Sequence, residues 1–126
     1  MSTAPKKKRI LCLEDDIDTC KLIATILAAY EIISATTVTE AWRLYNDQPF
    51  SLIVVDYRLT DGNGVDFCDR IRKNDFLTPV IFISGDPNLT DAEVRMAGGQ
   101  RLLKKGSPTF VDDLYANAQT LAVINS

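Results

Sequence analysis

The chain has 126 residues, enough for one domain around one core, with an ordinary globular balance of 46% hydrophobic and 25% charged residues. No apolar run approaches the roughly 20 residues that a membrane span needs. A net charge of −3 argues against a nucleic-acid surface, and the lack of any histidine removes a His-based general base, a Ser-His-Asp triad and most zinc sites.

In chain order, MSTAPKKKRI has no apolar h-region behind its basic residues and does not read as a secretory signal, so a cytoplasmic address is expected. Residues 1–7 are expected to form a solvated tail and 8–126 one domain. RILCLEDD (9–16) is an apolar strand ending in acids. Ile17, Leu22, Ile23, Ile26, Leu27 and Tyr30 recur close to a 3.6 period, which predicts a helix over 17–30. EIISA (31–35) predicts a short strand. Thr37 with Glu40 forms a capping-box signature that opens a helix through Ala41, Trp42, Leu44 and Tyr45, and Asn46 to Pro49 turn the chain.

Leu52 to Val55 are apolar in succession, as in a strand buried on both faces, and the run ends on a carboxylate, Asp56. A Gly-rich loop (60–64) leads into a helix striped by Val65, Cys68 and Ile71 and ending near Asn74. PVIFIS (79–84) is another apolar strand. A short helix is expected from about Thr90 to Ala97, before Gly98 and Gly99, and RLLK (101–104) is the last strand. Val111, Leu114, Tyr115, Ala118 and Leu121 give a final amphipathic helix whose stripe Val111, Leu114, Ala118 and Leu121 is expected in the core. Cys12, Cys20 and Cys68 are odd in number and widely spaced, which favours buried thiols over a metal site. Trp42 is expected to pack rather than bind.

Five strands alternating with five helices predict an α/β fold: a doubly wound parallel sheet with helices on both faces. In such sheets, ligands bind outside the carboxyl ends of the strands. Glu14, Asp15 and Asp16 close the first strand, Asp56 the third, Ser84 the fourth, and Lys104 and Lys105 the fifth. Asp16 has a second reading as a residue of the first helix N-terminus, where a carboxylate is favourable. Two carboxylates about 6 Å apart repel by roughly 3 kcal/mol at an effective dielectric near 20, a cost that a hard dication removes. Mg²⁺, or Mn²⁺, suits such oxygen ligands. Asp56 beside a metal, a hydroxyl and an amine can act as a phosphoryl acceptor.

With these residues, LEDD, VVDYRLTDGNG, IFISGD and RLLKKG, the chain resembles the receiver domain of two-component response regulators (CheY-like) over roughly residues 8–123. The resemblance implies a flavodoxin-like five-stranded sheet of order 2-1-3-4-5. It implies Asp56 as phosphoacceptor. Asp15, Asp56 and the backbone carbonyl of Arg58 would be metal ligands, and Glu14 would hold the metal through water. Ser84 would be the hydroxyl residue that moves toward the phosphoryl group. Spacing from Ala97-Gly98-Gly99 selects Lys105 as the site lysine, while counting back from Ser107-Pro108 selects Lys104; Lys105 is preferred. The donor would be a histidine kinase or histidine phosphotransfer protein. The face of the fourth helix, fifth strand and fifth helix would bind an output protein, either in a separate chain or because this chain is excised from a larger one. No direct nucleic-acid or membrane contact is expected, and the chain is expected to be a monomer or weak dimer.

Two departures stand out. Thr60 occupies a place where proline is common, and Arg101 or Leu102 stands where the last strand usually carries an aromatic, which puts the usual switch relay in question. Arg58 and Asp86, each two residues beyond a site residue, are expected to pair across the mouth and slow hydrolysis of the acyl phosphate. The competing readings are a pseudo-receiver used only for protein contacts and a small Mg-dependent phosphatase of the haloacid dehalogenase type. The latter needs a second acid where Arg58 stands.

Overall fold

Each continuous apolar run becomes a strand covered on both faces. The computed structural model describes residues 7–122. In chain order the elements are β1 (Arg9–Leu13), α1 (Ile17–Ile26), β2 (Glu31–Ala35), α2 (Val38–Asp47), β3 (Leu52–Asp56), β4 (Arg58–Leu59), β5 (Gly62–Asn63), α3 (Gly64–Arg72), β6 (Val80–Ser84), α4 (Asp91–Met96), β7 (Arg101–Lys104) and α5 (Phe110–Ala122). The main sheet has the order β2-β1-β3-β6-β7, all parallel, and β4 and β5 form a separate antiparallel hairpin. Without the hairpin strands, this is the expected order 2-1-3-4-5.

Residues alternate between two cores. Ile10, Cys12, Val54, Ile81 and Ile83 pack with Ile23, Leu27, Leu114 and Ala118 of the α1 and α5 layer. Leu11, Leu13, Ile53, Val55 and Phe82 pack with Ala41, Phe67, Ile71 and Val94 of the α2, α3 and α4 layer. The middle strands β3 and β6 are buried along their whole lengths. Cys12 and Cys68 are buried free thiols, and burial pushes the Cys68 thiol up to about 11. Trp42 stacks on Tyr45 and meets Phe67 edge-on, so it packs as expected.

Several local expectations change. α1 stops at Ile26 rather than Tyr30, and the Leu27 N–H closes it onto Ile23 O. Ile17 and Leu22 are exposed, because Ile23, Ile26 and Leu27 carry the packing and Leu22 lies about 100° away from Ile23 around the helix. α2 continues through Asn46 and Asp47, which were read as turn. The 60–64 loop is largely the β4–β5 hairpin. On α5 the row Phe110, Leu114 and Ala118 is buried, whereas Val111 and Tyr115, one position on, are exposed. Two i, i+4 rows compete there, and only the first faces the sheet.

Candidate functional site

Parallel pairing brings the carboxyl ends of β1, β3, β6 and β7 to one edge, with Val55 opposite Leu13 and Phe82, and Ser84 opposite Lys104. Glu14 and Asp15 follow β1, Asp56 ends β3, Ser84 ends β6 and Lys105 follows β7. Ligand oxygens of Glu14, Asp15 and Asp56 lie within 4.8 Å of one another. Asp16 stays out of this group: it caps α1, accepting from Thr19 N at 3.0 Å and Thr19 Oγ1 at 2.6 Å.

Glu14 is fully buried; its Oε1 accepts from Asp16 N at 3.1 Å. Its Oε2 is 2.9 Å from Lys105 Nζ, yet it makes no well-directed hydrogen bond. Lys105 Nζ also donates to Asp56 Oδ2 at 2.9 Å. Burial pushes the Glu14 carboxyl up to about 7; the Lys105 ammonium opposes the rise and Asp56 adds to it. Burial disfavours the Lys105 charge, but Asp56 and Glu14 outweigh it and raise its pKa. One ammonium thus faces a crowd of carboxylates, and a buried oxygen is left poorly satisfied. Hard oxygen donors in that state fit Mg²⁺ or Mn²⁺.

The two candidate lysines diverge. Lys105 reaches the acids, while Lys104 Nζ turns away and donates to Asp86 O at 2.7 Å and Leu89 O at 2.5 Å. Ser84 is buried beside Asp56, and its Oγ accepts from Asp86 N at 2.9 Å. Arg58 and Asp86 meet as expected, Nη2 to Oδ2 at 3.1 Å. Asp86 also accepts from Asn88 N at 2.8 Å; that hydrogen bond, with the Arg58 charge, holds its carboxyl below the usual range. An open cleft of about 420 Å³ has buried Asp56 and Ser84 within it, with Arg58, Asp86 and Asn88 around them.

Some contacts were not foreseen. Thr60 Oγ1 donates to Asp15 Oδ2 at 3.1 Å, and Asp61 accepts from Val38 N at 2.8 Å at the start of α2. The only sequence signal for Thr60 was its unusual place in the loop. Asn88 and the Lys104 contacts had none, because they depend on the path of the β6–α4 loop.

Acids from two strand tips, a buried hydroxyl and an ammonium thus share the carboxyl edge of a doubly wound parallel sheet, the side on which this class of α/β domains binds its ligands. Residues 10–117 match the response regulator receiver domain, and the chain belongs to that family. The chain is 33% identical over 119 residues to the transcriptional regulatory protein BasR of Escherichia coli K12, covering 90% of this chain and 51% of that one. It is 32% identical over 111 residues to the uncharacterized transcriptional regulatory protein YrkP of Bacillus subtilis, covering 86% of this chain and 46% of that one. The chain therefore spans about half the length of these relatives. A crystal structure of a two-component response regulator from Clostridium difficile superposes with a TM-score of 0.83 at 23% identity, covering 95% of this chain and all of that one, and supports the fold.

Proposed function

We propose that Asp56 is the phosphoacceptor of this receiver domain. The observation that carries the reading is the meeting of Asp56, Lys105, Glu14 and Asp15 within one cluster. A carboxylate oxygen of Asp56 attacks the phosphorus of a phosphohistidine. The new O–P bond forms as the N–P bond breaks, and the imidazole leaves with the electron pair. The donor is a histidine kinase or histidine phosphotransfer protein, since this sequence has no histidine of its own.

Asp15 and Asp56 would hold the divalent cation, joined by the Arg58 carbonyl and, through water, by Glu14. Bound there, Mg²⁺ offsets charge on the phosphoryl oxygens. Lys105 supplies a second positive charge to the same oxygens. Ser84 exchanges its Asp86 N–H for a phosphoryl oxygen, to which its hydroxyl donates. Arg58 and Asp86 restrict the approach of hydrolytic water. The signal leaves through the face of α4, β7 and α5 to an output protein or a further domain. Of Arg101 and Leu102, the two candidates for the aromatic's usual place, Leu102 packs toward the α2, α3 and α4 layer and Arg101 is exposed. No helix among the described residues is long and apolar enough to cross a membrane. We place the chain in the cytoplasm, as a monomer or weak dimer, with residues 8–126 as its domain.

Intact-mass spectrometry after incubation with acetyl phosphate and Mg²⁺ tests the acceptor. One phosphoryl adduct is expected on the wild type and none on Asp56→Asn. An unmodified wild type would establish the pseudo-receiver reading instead.

A further inference from the structure

We propose that Lys104 is a positioning residue that acts through Asp86 to set the lifetime of the phosphoryl group. This rests on the reading of Asp56 as phosphoacceptor and extends it to a residue that touches none of the acids. Lys104 ends β7 and Lys105 follows it, so the two side chains part at the sheet edge. Lys105 goes to Asp56 and Glu14; Lys104 goes to the loop between β6 and α4.

There the partly buried Lys104 ammonium binds the carbonyls of Asp86 and Leu89 at 2.7 and 2.5 Å. Charged hydrogen bonds of this kind are stronger than neutral ones. Within the loop itself, the Asp86 carbonyl accepts only a long bond from Leu89 N–H, at 3.4 Å, so the Lys104 ammonium is its shorter partner. The restrained residue is the one at which the contacts of the cleft converge. Asp86 donates its N–H to Ser84 Oγ; its two carboxylate oxygens accept from Asn88 N and from Arg58, and its carbonyl accepts from Lys104. Fixing the Asp86 backbone therefore fixes its carboxylate relative to Arg58, and so the width of the cleft above Asp56. The exposed Arg58–Asp86 pair is weak by itself and holds its place only if the loop under it does. Lys104 provides that hold from the neighbouring strand.

The test loads the wild type, Lys104→Met, Lys104→Arg, Asp86→Ala and the Lys104→Met/Asp86→Ala double variant with acetyl phosphate and Mg²⁺. After desalting, loss of the adduct is followed by intact mass. Lys104→Met is expected to shorten the lifetime about two- to fivefold, the change that a weak contact is worth, and Lys104→Arg to restore it to within about 1.5-fold. In the Asp86→Ala background, Lys104→Met is expected to change nothing further, which a merely structural effect would not reproduce. If Lys104→Met does not fold, Lys104→Gln takes its place, since its amide is neutral and reaches one bond less far than the ammonium. Equal lifetimes for wild type and the Lys104 variants, or an equal shortening with and without the Asp86 carboxylate, would overturn the proposal. An adduct absent even from the wild type would overturn the phosphoacceptor reading itself.

Discussion

Thr60 Oγ1 and Asp15 Oδ2 are 3.1 Å apart, so the turn of the β4–β5 hairpin holds the exposed acid of the cluster. The hairpin is anchored in turn by Asp61, whose carboxylate accepts from Val38 N and Thr39 N at the start of α2. A hydroxyl on an anchored hairpin limits the rotamers open to Asp15 before any cation arrives. Thr60→Ala is expected to weaken Mg²⁺ binding about fivefold, equivalent to about 1 kcal/mol, and Thr60→Ser to keep it. Calorimetric titration of Mg²⁺ without a phosphoryl donor measures this directly; unchanged or tighter binding in Thr60→Ala would refute it.

Lys105 is the ammonium that touches both Glu14 and Asp56. Lys105→Met leaves two buried carboxylates facing each other. Its side chain is 25% exposed, so the cost is that of a partly screened pair, about 1–3 kcal/mol. A dication binding only the native state returns part of that loss. The melting temperature in EDTA should fall, and Mg²⁺ should raise it more in Lys105→Met than in the wild type. An equal Mg²⁺ response in both proteins contradicts the electrostatic account.

Gly64 opens α3 directly beneath the end of β3. A Cβ there would stand 2.6 Å from Asp56 O, 2.9 Å from Val55 Cγ2 and 3.1 Å from Phe82 Cε2. The nearest atom is strand backbone and cannot swing aside. Gly64→Ala should destabilise by about 1–3 kcal/mol and slow phosphorylation by moving Asp56. Gly85→Ala and Gly106→Ala, with nothing within 4 Å, should stay within about 0.5 kcal/mol of the wild type. Urea denaturation separates the three.

Asp75 gives the fold an acid-sensitive joint away from the cleft. Burial works against its charge, but hydrogen bonds from the Thr78 and Tyr45 hydroxyls, both 2.6 Å, and from the Thr78 and Leu77 N–H groups outweigh it and bring its pKa to about 2. The folded value lies below the unfolded value of about 3.9, so this stabilisation is complete above both and is lost as pH falls through about 2. Asp75→Asn should lower the urea midpoint at neutral pH and flatten its decline between about pH 5 and 2. Parallel pH profiles would exclude this origin.

The parallel sheet and the acids at its rim were legible because both are written in local patterns. Buried strands need unbroken apolar runs, such as Leu52–Val55, and a carboxylate ending one of them stands out. The choice between Lys104 and Lys105 was not local. It turns on whether a side chain at the end of β7 meets the acids or the β6–α4 loop, and that depends on the course of residues 85–90. Thr60 was visible only as an oddity, since its partner Asp15 is 45 residues away. Val111 and Ile17 misled because apolar periodicity marks a helix without saying which of two adjacent rows meets the sheet. The β4–β5 hairpin was missed because Arg58-Leu59 and Gly62-Asn63 are too short to show an alternating pattern.

Each pairing in the central sheet joins segments remote in sequence, Ile10 with Leu52, Ile53 with Val80, Ile81 with Arg101. Each of these pairings closes a loop of about 20 to 40 residues before its contacts repay the lost chain entropy. Glu14 and Asp15 follow β1 whereas Lys105 follows β7, about 90 residues later, so the acids meet this ammonium only when both strands are in place. The partnership of Lys105 with Glu14 and Asp56 is therefore a product of the assembled sheet: with β7 undocked, the clustered acids stand without their ammonium.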